Sequence, residues 1–439
     1  MIALKKITNR VAKQATQTVD PASLVVFRIL FGFWALQLVI EHQYRLNNWL
    51  YQYFTEASLR FSYPLFGWVP KLPDLGFYAL FVVLCLSAVG IMSGFNFRLS
   101  CWLFSTGLLY LLILEQTYYR DHVYFAALIS LWLSFLPLGK CYAIGARNTS
   151  DRTGVKFSRW KLWALKYQIC LVLFYMGLHK LTAGWLSGTP LEFYLVNKAG
   201  WAAHTASTTV ILLVSLYLCF GELLAWMGLF HRKLRWVAVC WILGVMGFYI
   251  WIGLPNSFIL LILSGLTLFF APSWPRSVKL MTSEKLSNQP NYHPTDSRRP
   301  MVYVLVGIIV LLQVFLPLRG YFYRGSIAWN RAGYNFSWRV FTDFKTVTEQ
   351  KFLLRSGNQA RRIDLGRILT PGQRRTVLRN PSLLSTLTEL LKTHRKWDPR
   401  WEKLEVVVGN NLNGGTQRRL YSASVPIKYF RSDSEQSSL

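Results

Sequence analysis

Long apolar runs separated by short basic loops fill most of the chain, and a stretch of ordinary polarity follows them. The first run covers about 24–40. Others follow at roughly 75–94, 98–115, 122–138, 160–181, 207–228, 234–252, 256–272 and 301–318. Each approaches the ~20 residues that cross a hydrocarbon core as a helix. The pattern predicts an all-α polytopic membrane domain of about nine transmembrane helices over residues 1–318. The first run has no small-residue cleavage pattern behind it and reads as an uncleaved helix. Beyond 318 the apolar period shortens. Lys351–Leu354, Arg361–Leu365, Leu404–Val408 and Arg418–Val425 are β-prone, one helical pattern runs over 381–393, and Gly357-Asn358 and Asn413-Gly414-Gly415 mark turns. These predict a small β-rich extramembrane domain over 319–430 and a disordered polar tail over 431–439.

Composition agrees with that division. Of 439 residues, 52% are hydrophobic and only 16% charged, against about a quarter charged in soluble proteins. The net charge of +29 allows nucleic acid, anionic lipid or an acidic peptide as partner. No nucleic-acid motif is present, so nucleic acid is set aside. The charge also orients the helices. With the N-terminus in the cytoplasm, the inside loop 139–159 carries Lys140, Arg147, Arg152, Lys156 and Arg159, and 273–300 carries Arg276, Lys279, Lys285, Arg298 and Arg299. The outside loops are poorer in Lys and Arg, as the positive-inside rule requires. An odd number of spans then leaves the C-terminal domain on the non-cytoplasmic side. The six cysteines lie in or beside apolar runs without a CxxC pair, so no metal site is expected.

Ionisable residues in or beside membrane spans are costly and therefore candidates for chemistry. Tyr119, Asp121 and His122 stand at the outer junction of the third and fourth runs, and His179 and Lys180 at the outer end of the fifth. Glu222 lies within the sixth, and Asn256 at the outer junction of the seventh and eighth. The topology puts His122, Lys180 and Asn256 at one membrane boundary, where they can converge on one cavity. Partial desolvation there favours the neutral amine that a general base needs. Plainer readings stand beside these. Lys180 can snorkel to the headgroups. His122 and His179 can be satisfied interfacial histidines, and Asn256 after Pro255 can be a helix cap. Tyr119 and Trp185 fit an aromatic belt. Glu222 is harder to set aside, because a carboxylate mid-span needs a partner or a proton. A Lys180→Ala variant is expected to fold, since its helix end lies near water.

Several segments resemble the vitamin K-dependent γ-glutamyl carboxylase family, whose membrane part is also called the horizontally transferred transmembrane domain. They are Phe27-Arg-Ile-Leu-Phe-Gly-Phe33, Phe97-Arg-Leu-Ser-Cys101, Thr117-Tyr-Tyr-Arg-Asp-His-Val-Tyr124 and Gly177-Leu-His-Lys-Leu-Thr-Ala-Gly-Trp-Leu-Ser-Gly188. Phe315-Leu-Pro317 and Trp329-Asn-Arg-Ala-Gly-Tyr-Asn-Phe-Ser-Trp-Arg339 follow. The resemblance covers about 22–426. It departs from animal members at Arg120-Asp121, where they carry two asparagines, and at Gly253, where a histidine is common. Ser-Trp-Arg339 is the form typical of bacterial members. The disulfide joining the two domains in animal enzymes has no counterpart, because no cysteine follows residue 318.

The resemblance implies an enzyme that oxidises a reduced naphthoquinone (reduced vitamin K) with O2 to its epoxide and couples this to carboxylation of peptide glutamate by CO2. It implies Lys180 as the base that deprotonates the hydroquinone and His122 in the reaction cavity. Asn256 and Tyr334 would line the quinone and substrate site, with Tyr119, Asp121, His179, Trp185 and Glu222 around it and no metal. Membrane lipid, quinone and a glutamate-containing peptide are the implied partners. The basic residues Arg361, Arg362, Arg374, Arg375, Arg379, Lys392, Arg395 and Lys396 offer charge complementarity to such a peptide. Two alternatives remain open at this point: a quinol epoxidase without carboxylase activity, and a non-catalytic membrane binding or immunity protein of the same fold.

Overall fold

A computed structural model describes residues 13–44, 50–55, 57, 59–144, 157–199, 207–253, 256–281, 300–392 and 400–427. The tail 431–439 lies outside the described residues. The membrane part is built from α1 (Ala22–Tyr44), α2 (Asp74–Ser93), α3 (Phe97–Leu114), α4 (Asp121–Ser134) and α5 (Arg159–Leu178). After a short helix, α6 (Thr189–Ala199), come α7 (Thr208–Phe230), α8 (Arg235–Trp251), α9 (Asn256–Leu266) and α10 (Pro300–Leu318).

Nine of these helices fall on the nine predicted runs, but they are not nine equal spans. Among the described residues, five segments are long and apolar enough to cross a membrane: Ala22–Glu41, Asp74–Ser93, Phe97–Leu114, Thr208–Phe230 and Val304–Phe322. The remainder fall short for physical reasons. α4 ends at Ser134, just before Pro137, whose ring disfavours helix in the residue ahead of it. α5 has the length but carries Arg159, Lys161 and Lys166. α8 and the segment Ser257–Phe269 are apolar but shorter.

Glycines set the closest helix approaches. A Cβ on Gly177 of α5 would stand 2.4 Å from the backbone nitrogen of Leu223 on α7. The two helices therefore touch backbone to backbone, as small residues permit in membranes. That contact lies one turn before Lys180 and one residue after Glu222. At the other end of the bundle Arg28, almost fully buried, donates to the carbonyls of Leu138, Cys141 and Tyr142 at 2.7–2.9 Å. A buried charge is tolerable where acceptors surround it.

The C-terminal part is a four-stranded antiparallel sheet formed by β3 (Lys345–Ser356), β4 (Gln359–Arg362), β5 (Lys403–Leu412) and β6 (Arg418–Pro426), in the order β4-β3-β5-β6. β1 (Thr18–Val19) and β2 (Phe157–Ser158) form a separate two-residue pairing in the membrane part. The Gly357-Asn358 turn closes the β3–β4 hairpin, pairing Ser356 with Gln359. Two helices, α11 (Pro371–Val377) and α12 (Pro381–Lys392), cover the sheet, and Leu383, Leu384, Leu387 and Leu391 join its core. α11 opens with a capping box between Thr370 and Gln373.

The two parts interlock. Phe61, from the α1–α2 connection, belongs to the core beneath the sheet, whereas Trp338 and Phe341, from the lead-in to β3, belong to the helical core. Thr370 donates to the Gln52 carbonyl at 2.6 Å and Gln373 to that of Leu59 at 2.8 Å. At the β5–β6 turn a Cβ on Gly414 would stand 2.5 Å from the Phe193 ring of α6, and φ there is +73°. Only glycine fits both the space and the backbone.

Candidate functional site

The segment from Arg319 to Lys345 leaves α10 and dips back into the helical bundle. Arg319 fastens its base by donating to the carbonyls of Leu316, at 2.7 Å, and Asn335. Asn335 donates to the Tyr63 hydroxyl at 2.6 Å. Trp338 is fully buried, stacked on Tyr124 at 4.9 Å and edge-on to Phe125. Phe341 meets Trp185, Tyr194 and Tyr249 edge-on. Phe336, Trp338 and Phe341 all have φ between 56° and 59°, a left-handed conformation that bulky side chains rarely adopt. Packing of their rings holds this strained backbone in place.

Two groups of side chains meet across this segment. The first is a buried polar cluster. Lys180 Nζ donates to Glu222 Oε2 at 2.7 Å, to the Val340 carbonyl at 3.1 Å and to the Met176 carbonyl at 3.4 Å. Tyr249 donates to the other Glu222 oxygen. The ammonium also lies 5.6 Å from the Trp185 ring centroid and 5.7 Å from that of Tyr249. Trp185 Nε1 donates to the Thr342 carbonyl at 2.6 Å, and its own carbonyl accepts from Ser215. Lys180 and Glu222 are 0% and 1% exposed, so Lys180 does not snorkel to water. The expectation that its surroundings are near water is corrected here: the lead-in segment covers it. His179 lies beside this cluster, its Nδ1 2.9 Å from the Tyr321 hydroxyl.

The second group lines a cavity of about 670 Å³ between the bundle and the sheet. Tyr119, Asp121 and His122 form the wall at the start of α4, and Phe193, Tyr194, Phe258, Phe341 and Phe344 supply an apolar face. Tyr334 and the cations Arg120, Arg331, Arg339, Lys345, Arg375 and Arg379 supply a basic face, with Asp343 among them. Tyr119 donates to Asp121 at 3.0 Å. Arg331 pairs with Asp343 at 2.8 Å and lies over the Tyr334 ring, whose hydroxyl donates to the Arg339 carbonyl. Burial, and next the Asp343 carboxylate, push the Tyr334 phenol up to about 12.

His122, Tyr119, Asp121 and Tyr334 thus line one cavity, whereas Lys180, expected to converge on the same cavity as His122 and Asn256, does not line it, nor do His179, Trp185 and Glu222. Val340 joins the groups: it lines the cavity, and its carbonyl accepts from Lys180. Asn256 is the first residue of α9, and its side chain lies outside the described residues. Tyr249, Val340 and Lys345 were not singled out from sequence. Tyr249 sits in an uninterrupted apolar run, and Val340 acts through its backbone. Lys345 had a signal, being the last of four charges interleaved with aromatic residues from Trp329 onward. Among the described residues no group of three His, Cys, Asp or Glu side chains gathers as a metal site.

Lys345 is the cavity's titrating cation. It is buried at the start of β3 and donates to the carbonyls of Trp329 at 2.7 Å and Arg379 at 2.9 Å. Burial, with Arg331 and then Arg379 adding repulsion against the pull of Asp343, brings its pKa down to about 7. An unfolded chain keeps this proton to about 10.4. Between those values the unfolded state binds more protons, so stability is expected to rise with pH across that window. Lys345→Met is expected to flatten the rise in thermal midpoint from neutral to alkaline pH. Equal slopes in both proteins would contradict the assignment.

Two known family models match the chain. The family model of the HTTM domain matches residues 16–274, and that of the vitamin K-dependent gamma-carboxylase lumenal domain matches residues 298–434. No solved structure matches the chain. The first match covers the bundle that carries His122 and the Lys180–Glu222 pair, and the second covers the last helix, the strained segment and the sheet. The chain belongs to the vitamin K-dependent γ-carboxylase family, with the HTTM membrane domain first and the lumenal domain after it.

Proposed function

We propose that the protein is a γ-glutamyl carboxylase-like enzyme that couples oxidation of a reduced naphthoquinone by O2 to carboxylation of peptide glutamate by CO2. The observation that carries this reading is the two-faced cavity holding His122, with the Lys180–Glu222 pair one backbone carbonyl behind it. Its volume falls within the ~300–1,000 Å³ usual for ligand sites. An apolar wall of Phe193, Phe258, Phe341 and Phe344 suits a naphthoquinone ring, and the basic wall suits a glutamate carboxylate. In this family the reduced quinone, once oxidised with O2, supplies the strong base that removes the glutamate γ-proton.

The chain's own residues would divide the rest of the work. Lys180 is the base toward the hydroquinone hydroxyl. Its three N–H donors are engaged by Glu222, Val340 and Met176, so one proton must leave Nζ first. Glu222, at 2.7 Å, is placed to take it, with Tyr249 holding the second carboxylate oxygen. A small displacement of the strained segment at Val340 would open Nζ to the cavity. His122, in the first turn of α4, would handle the proton of the glutamate carbon, and Asp121 and Tyr119 would fix that corner. The buried rings of the lead-in segment exclude water, which would quench a basic intermediate. The domain division at 318, the cytoplasmic N-terminus and the non-cytoplasmic C-terminal domain belong to the same reading. The division rests on where the apolar runs end, and the orientation on the loop charges.

The deciding experiment supplies purified protein with reduced vitamin K, a glutamate-rich peptide and labelled hydrogencarbonate. Epoxide together with labelled peptide is the expected outcome. Epoxide without label would favour a quinol epoxidase. Neither product, with folded protein and several quinols tried, would leave a non-catalytic binding protein.

A further inference from the structure

The end of the bundle away from the sheet carries cations without a counter-charge. Lys166, two turns into α5, is part-buried, and its ammonium lies 5.3 Å from the Phe269 ring centroid. Arg159 at the start of α5 and Arg235 at the start of α8 both repel it. Arg235 spends its Nε on the Leu229 carbonyl at 3.2 Å, and its two Nη groups have no acceptor among the described residues. Lys166 Nζ and the Arg159 guanidinium have none there either. All three side chains are only partly covered, and none of these donors is sealed inside the protein. Among the described residues Asp20 is the only carboxylate at this end, and Arg276 holds it at 3.0 Å. Residues 145–156, ahead of α5 in the chain, add Arg147, Arg152 and Lys156 against Asp151 alone.

Like charges gathered at a membrane boundary are costly, because the low dielectric behind them screens little of their repulsion. An anion shared between them removes that cost. Lysine offers a point charge and arginine a planar fork, and both suit phosphate. An apolar strip continues from the charges. Phe269, under Lys166, meets Phe230 edge-on at 5.7 Å, and its neighbour Phe270 packs on Trp236 at 4.9 Å. Phe230, Trp236 and Val237 are 52%, 64% and 59% exposed, and the last two directly follow Arg235 on α8. A free ion has no use for such a strip, whereas acyl chains do. Snorkelling to water accounts for Arg159 at the helix end. It does not account for Lys166, which lies farther into α5 with its ammonium over a ring.

We infer that Lys166 and Arg235 form a binding site for the phosphate of an anionic phospholipid, whose acyl chains lie along the exposed strip on α8. Arg159 adds charge at its rim. Basic pockets between membrane helices bind anionic headgroups in this way. In the orientation read from the loop charges, the lipid belongs to the cytoplasmic leaflet. The site does not rest on the carboxylase reading, because it lies at the other end of α5 from Lys180 and the cavity.

Thermal unfolding of the full-length protein in neutral detergent, titrated with phosphatidylglycerol or phosphatidylcholine, tests it without turnover. Phosphatidylglycerol is expected to raise the wild-type midpoint more than phosphatidylcholine does at equal mole fraction. In Lys166→Met with Arg235→Met, the phosphatidylglycerol needed for half the shift is expected to rise about tenfold or more. The phosphatidylcholine response is expected to stay the same. Without lipid the double variant is expected to be no less stable than wild type, because the charges it removes repel each other. Arg235→Lys keeps the charge but loses the fork, and an intermediate loss is expected. Arg361→Gln removes a charge from β4, far from the site, and is expected to respond as wild type does. If the double variant does not fold, Lys166→Met alone gives the same reading with a smaller loss. Equal phosphatidylglycerol responses in wild type and the variants at Lys166 and Arg235 would overturn the inference, as would a wild type that does not prefer phosphatidylglycerol. Inorganic phosphate that stabilised the wild type equally well would also overturn it, in favour of a free-phosphate site.

Discussion

Lys180→Ala is expected to abolish quinol oxidation and to destabilise the protein by about 3–5 kcal/mol, the cost of leaving one partner of a buried ion pair alone. Glu222 would remain as a carboxylate within α7, held only by Tyr249, and the Val340 carbonyl would lose its donor. Lost activity in that variant is therefore ambiguous by itself. A second variant, Lys180→Met with Glu222→Gln, removes both charges, while the oxygen of the introduced amide can still accept from Tyr249. Replacing both members of a buried pair is often neutral or stabilising, so its thermal midpoint is expected near that of wild type. Its epoxide formation is expected to be nil. A folded double variant that oxidised the quinol at the normal rate would show that Lys180 is not the base.

The sequence reading and the structure diverge at this same pair. Glu222 was legible as a carboxylate that needs a partner, because a charge mid-span is costly whatever surrounds it. Lys180 was legible as a motif lysine at a helix end. Their pairing was not, because they are 42 residues apart and meet only through the close approach at Gly177. The covering of Lys180 was equally invisible. It comes from a backbone carbonyl at Val340, and any residue type presents a carbonyl. The helices and strands were far more legible, because apolar period reports burial directly. Lys403–Leu412 and Arg418–Pro426 contain the β-prone stretches that mark them, and Pro381–Lys392 falls within its predicted range. What apolar period did not decide is which helices span. α4 is buried almost throughout, so its apolar run reports protein packing rather than contact with lipid.

Trp338→Ala is expected to have the second large effect, because Trp338 couples the two parts of the molecule. The residue lies in the lead-in to the sheet but packs wholly inside the helical core, against Tyr124 and Phe125. Truncating a buried Trp to Ala costs about 3–5 kcal/mol. Alanine also inherits the left-handed backbone at φ 59°, so the strain stays while the packing that balances it goes. Release of the segment would carry Val340 away from Lys180, so quinol oxidation is expected to fall with stability. Trp338→Phe separates the causes. It keeps an aromatic ring against Tyr124 and removes an indole N–H that has no acceptor among the described residues. The Phe variant is therefore expected to retain most of the stability and a measurable fraction of the activity. If Trp338→Ala unfolded at the wild-type midpoint, the segment would not be held by its rings. The interlock would then rest instead on the Thr370 and Gln373 contacts to the α1–α2 connection.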